Sequence, residues 1–154
     1  HAQEPGTSDS KAVVAELMQA FFRDYDEATM RRLLTEDYIQ HNPYVPTGIE
    51  PVIGILPTLR DAGFDYDTHR IIQDGPLVLT HTTYTNAQIF GAETVVAFDI
   101  WRVEDGRVAE HWDCITPLVT NTVSGPPSAS AALILPTFSS IRRRRLPPLL
   151  VAAP

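Results

Sequence analysis

The sequence holds a single cysteine, Cys114, in 154 residues. That excludes an intrachain disulfide and any zinc site built on several cysteines. No stretch approaches the roughly 18 apolar residues that cross a bilayer, so no membrane partner is expected. The chain lacks GxGxxG, a Walker loop and a GxSxG elbow, which removes phosphate-cradling loops and the serine-hydrolase turn. It also lacks HxH and HExxH, so His41, His81 and His111 are not expected to ligate a metal. Acid is missing from the end of the chain. All 19 Asp and Glu lie before residue 124, against 8 basic residues there, a net of −11. A body this acidic repels phosphate backbones, and no nucleic-acid partner is expected.

What remains is 44% apolar and 20% charged residues with a mean hydropathy of −0.08, the composition of one soluble globular domain. The chain opens at His1 without an initiator Met, as after a tag or a signal-peptidase cut. The compartment is then cytoplasmic or, in the second case, periplasmic or secreted.

Residues 1–9 read as a flexible start. Val13, Val14, Leu17, Met18, Phe21 and Phe22 recur at helical spacing, predicting an amphipathic helix from Ser10 to about Asp24. Asp26 suits the N-cap of a short second helix carrying Met30, Leu33 and Leu34. Tyr38 to Pro43 is a short extended piece. Thr47 and Glu50 fit a capping box, opening a third helix to about Ala62 that Pro57 kinks or splits. After Gly63 the period changes to two, predicting strands near 66–73, 76–86, 94–103 and 107–117. Helices followed by a strand meander give an α+β fold with helices on one face of an antiparallel sheet. The domain is expected over 10–118, followed by a Pro-rich extension, 119–154, with the run Arg142 to Arg145. That extension is either a mobile appendage or an arm on a neighbouring subunit.

The most informative stretch is Val95 to Ile115. Its turn at Asp105-Gly106 admits two registers. A two-residue loop pairs Glu104 with Arg107; a three-residue loop with a bulge at Gly106 pairs Val103 with Arg107. A one-residue slip exchanges the two faces. The three-residue loop is preferred, because it gathers Asp99, Trp101, His111 and Asp113 on one face and leaves Phe98, Ile100, Trp112 and Cys114 on the other. Carboxylates beside an imidazole in an apolar cavity suit proton transfer at a carbon next to a carbonyl. The plainer alternative is a solvated sheet face held by surface hydrogen bonds. Gln40, His41 and Asn42, at the end of the extended piece, and His81, mid-strand beside Leu77 and Leu79, are further candidates.

Tyr38-Ile39-Gln40-His41-Asn42-Pro43 early, and Phe98 to Arg107 followed by Glu110-His111-Trp112-Asp113 late, resemble the SnoaL-like polyketide cyclases of the nuclear transport factor 2-like superfamily. The resemblance spans about residues 10–118. It implies a cone-shaped α+β barrel, with helices on a strongly curved sheet around a deep pocket, and a homodimer or homotetramer formed through the outer sheet face. It implies ring closure by intramolecular aldol condensation without cofactor or metal, with Asp113 at the position of the essential acid/base. A pocket His of those cyclases is replaced here by Asp99. A catalytic Asp of related ketosteroid isomerases is replaced by Asn42, which cannot act as a base.

The expected function is thus cofactor-independent acid/base chemistry on a hydrophobic carbonyl compound. Asp113 is the acid/base, tuned by His111 or Asp99. His41, Asn42 and His81, with Gln40 and Tyr38, contact substrate, and Trp101 forms an apolar wall. Two alternatives stand beside it. One is epoxide hydrolysis by an Asp99–Asp113 pair, which needs a bridging Arg although Arg102 should face away. The other is a non-catalytic module, favoured by a pocket smaller than about 300 Å³ or one that excludes Asp113.

Overall fold

A computed structural model describes residues 9–129. Helix α1, Ser10–Gln19, is capped by Asp9, whose carboxylate accepts from the Ala12 amide, and widens into a π-turn over Ala20–Asp24. Tyr25 ends that turn at φ 53° and donates its hydroxyl to the Phe64 carbonyl. Asp26 caps α2, Glu27–Leu33, by accepting from the Thr29 amide at 3.2 Å. The chain then turns directly into β1, Leu34–Gln40. The third helix is split as its proline suggests: α3 is Ile49–Gly54 and α4 is Leu56–Ala62, with Pro57 in the first turn of α4, where it blocks no helical bond. The expected capping box is not formed. Thr47 Oγ1 accepts instead from the Gln40 amide at 3.0 Å, and Glu50 pairs with Arg31. Gly48 stands at the cap position with φ 103°.

Strands β2, Asp65–Asp74, β3, Leu77–Thr85, β4, Thr94–Glu104, and β5, Arg107–Pro117, form the expected meander. Two features differ from the sequence expectation. The sheet is mixed, in the order β1-β5-β4-β3-β2, with β1 parallel to β5. It is also open: β1 and β2 are its two edges, so it is a cone-like wall and not a closed barrel. Bulges at His69 in β2 and Ala109 in β5, where the pairing shifts by one residue, add bend to the sheet.

The β4–β5 turn corrects one prediction and explains why its consequence still holds. Glu104 pairs with Arg107, the two-residue register, with Asp105 at φ 47° and Gly106 at φ 74° as a type I′ turn requires. Alone, that register would oppose Asp99 to Trp112. Ala109 is an extra residue, however: Val103 faces Val108, but Arg102 faces Glu110. Val108 and Ala109 are therefore both buried, and alternation resumes with His111 and Asp113 pointing inward. The bulge lies three residues beyond the turn, not in it.

The helices cover this inner face. Val14, Leu17, Met18, Met30, Leu59 and Phe64 pack against Val78, Tyr84, Val95, Ala97, Trp101 and Val108 in one core.

Candidate active site

The polar groups of the inner face gather where β1, β4 and β5 run side by side. Asp99 is directly opposite Asp113, Trp101 is opposite His111, and His111 is the parallel partner of Gln40. Asn42, just past the end of β1, reaches the same place. Its Oδ1 accepts from the Tyr44 amide at 2.7 Å, which turns its NH₂ toward Asp113 Oδ2.

The two aspartates differ in their surroundings. Asp99 is buried and fully engaged. Oδ1 lies 3.1 Å from His111 Nε2, and Oδ2 accepts from the hydroxyls of Thr80 at 3.3 Å and Tyr84 at 3.2 Å. Thr80 in turn accepts from the Trp101 indole N–H at 3.0 Å. Asp113 is half-buried. One oxygen takes the Asn42 amide, while Oδ1 is buried with no hydrogen-bond partner among the described residues. Burial pushes its carboxyl above the ordinary carboxylate range; the Asn42 bond and the nearby His111 oppose that, and the Asp99 charge adds to it. Burial likewise raises the hydroxyls of Tyr38 and Tyr84, helped by the charges of Asp113 and Asp99, so both remain proton donors.

These groups open onto a crevice whose other walls are apolar, including Leu17, Phe21, Phe22, Met30, Val52 and Phe90. Its envelope is about 540 Å³ counting the open mouth, but only about 30 Å³ admits the centre of a water-sized sphere. It is a slit, not an open chamber. The ligating atoms of Asp99, His111 and Asp113 lie within 4.8 Å of one another, a spacing compatible with a metal ion. Seating one there would compete with the His111–Asp99 hydrogen bond.

Seven of the nine sequence candidates line the crevice: Asp113, His111, Asp99, Asn42, Gln40, Tyr38 and Trp101. His41 and His81 do not join them. His41 is exposed, stacks on Trp112 at 5.2 Å and meets Glu110 at 2.9 Å, residues of the outer face. His81 does share its face with Leu77 and Leu79, but that face is also the outer one. There it stacks on Phe98, contacts Arg70 and donates to the Ala129 carbonyl. Sequence reasoning missed Tyr84 and Thr80. On β3 the inner row is Val78, Thr80, Thr82 and Tyr84, which looks like the polar row because it supplies hydroxyls to Asp99. The signal was the parity of Tyr84. Arg102 faces outward to Glu110 and Glu104, and no arginine lines the crevice among the described residues.

Solved structures of the same fold include IdmH, a proposed polyketide cyclase from Streptomyces antibioticus. It is 23% identical with a TM-score of 0.58, covering 70% of this chain and 92% of that one. A proposed polyketide cyclase from Bacillus cereus is 20% identical with a TM-score of 0.57, covering 69% and 74%. An LEH-like epoxide hydrolase from M. tuberculosis is 22% identical with a TM-score of 0.54, covering 70% and 82%. At these identities the likeness is one of fold. No curated protein matches the chain. The family model described as the SnoaL-like domain matches residues 14–111, more than half of the sequence, and the chain belongs to that family.

Proposed function

We propose that the protein is a cofactor-independent acid/base enzyme acting on a hydrophobic carbonyl compound, by aldol-type ring closure or a related proton transfer, with Asp113 as the group that moves the proton. The observation that carries this reading is the buried Oδ1 of Asp113 at an apolar crevice, without a hydrogen-bond partner among the described residues. A carboxylate whose proton affinity is raised by burial is a stronger base toward a carbon-bound hydrogen than a solvated one. Asp99 has both oxygens engaged, so its part is to orient His111 rather than to touch substrate. Trp101, stacked on His111 at 3.9 Å, and the phenylalanines form the apolar walls. The free space of the slit is narrow, so binding a drug-sized ligand has to displace lining side chains.

Epoxide hydrolysis is less well supported, because among the described residues no arginine stands between Asp99 and Asp113. One observation does favour a second reading, a non-catalytic module. The slit, at about 30 Å³, is far below ligand pockets of about 300–1,000 Å³.

The test is exchange of α-protons into D₂O for a panel of hydrophobic ketones, followed by NMR. Wild type is expected to accelerate exchange for at least one member, and Asp113→Asn to lose about 10²- to 10⁴-fold of that rate with its fold intact. Equal rates in the two proteins would remove Asp113 from the chemistry, and no acceleration by wild type would favour the module.

A further inference from the structure

We propose that Tyr38 and Gln40 are positioning residues that hold His111 in its doubly protonated form, so that His111 serves the crevice as a fixed cation and not as a base. The inference starts at Tyr38. Its side chain is 4% exposed, and its hydroxyl lies 3.2 Å from Gln40 Oε1. Burial, with the charges of Asp113 and Asp99 adding to it, keeps the phenol proton in place. A buried O–H needs an acceptor, and the amide oxygen of Gln40 supplies it. That fixes which end of the Gln40 amide faces inward.

The same oxygen stands 2.7 Å from His111 Nδ1. A carbonyl oxygen only accepts, so Nδ1 carries a proton. The other ring nitrogen, Nε2, faces Asp99 Oδ1 at 3.1 Å. Asp99 accepts from Thr80 and Tyr84 on its second oxygen; with the first oxygen likewise an acceptor, Nε2 is its third donor. Both nitrogens then bear hydrogen, and the ring is an imidazolium. Trp101 stacks on it at 3.9 Å, and an aromatic face favours a cation over a neutral ring. Turning the Gln40 amide around would offer Nδ1 a donor and allow a neutral ring. It would also strand the Tyr38 proton in a buried setting without an acceptor.

The charge state has a consequence for ligand class, which rests on the acid/base reading above. A ring nitrogen of His111 and a carboxylate oxygen of Asp113 lie within 4.8 Å of each other. A cation at that distance from the base favours a ligand oxygen that gains negative charge as its neighbouring carbon loses a proton, the enolate of a ketone.

The experiment is ¹⁵N NMR of the His111 ring in the full chain at neutral pH. Two protonated nitrogens are expected in wild type. Tyr38→Phe, which frees the Gln40 amide to turn, is expected to convert Nδ1 to an unprotonated nitrogen, as is Gln40→Met. One unprotonated nitrogen in wild type overturns the proposal, and so does a pattern unchanged in both folded variants. Asp113→Asn separates the two readings. A preserved imidazolium in that variant leaves this inference standing even if Asp113 proves to have no part in turnover, whereas loss of the imidazolium there would make Asp113, not Gln40, its cause.

Discussion

Asp113 is held by neighbours that treat its two oxygens differently, and that asymmetry makes it the candidate for chemistry. Asn42 engages Oδ2, while Oδ1 remains buried and without a partner among the described residues. The position also carries a stability cost that depends on pH. Burial raises the folded-state proton affinity of the carboxyl, so between the unfolded and folded midpoints the native state binds more protons and stability falls as pH rises. The favourable contribution is complete below the unfolded midpoint and is lost as pH climbs through the folded one. Asp113→Asn, which has no charge to desolvate, is therefore expected to melt above wild type at about pH 7 and to lose that advantage by about pH 3. Thermal melts of both proteins across that range check the sign; a variant that melts below wild type at neutral pH contradicts it.

At the level of elements, the β4–β5 hairpin decides whether there is a site at all. Gly106 sits at φ 74°, a conformation that an L side chain adopts at a cost, so Gly106→Ala is expected to destabilise the fold by about 1–2 kcal/mol. Chemical denaturation measures it. Asp99 should stay opposite Asp113 in that variant, because the bulge at Ala109 sets the pairing beyond it. The hairpin also shows what was legible beforehand. The inward set Asp99, Trp101, His111 and Asp113 followed from clustering like residues on one face, whereas the bulge that places them there has no marker in Val108-Ala109-Glu110. The four meander strands were readable because turn residues punctuate alternating runs. The parallel course of β1 was not, since pairing of Gln40 with His111 joins residues 71 apart in the chain. His81 is buried and hydrogen-bonded, but on the outer face with Leu77, which is 38% exposed; the inner row is the one rich in threonine.

At the scale of the molecule, the helices and sheet together keep water from one carboxylate while the sheet's outer face stays partly apolar. Phe98, Ile100, Leu77 and Ile72 are exposed there. The dimer or tetramer implied by the family resemblance would use that face. Sedimentation above the monomer mass in wild type, falling to the monomer in Phe98→Asp, is the expected outcome, and a wild-type monomer at all concentrations rules it out. The Arg142 to Arg145 run and the possible subunit arm lie outside the described residues. What the whole fold has to achieve is the desolvation of Asp113, and ¹³C NMR titration of its side-chain carboxyl tests that most directly. The account predicts a midpoint above the ordinary carboxylate value, rising further in Asn42→Ala as the opposing hydrogen bond is lost. A midpoint at or below that of a solvent-exposed aspartate would contradict it.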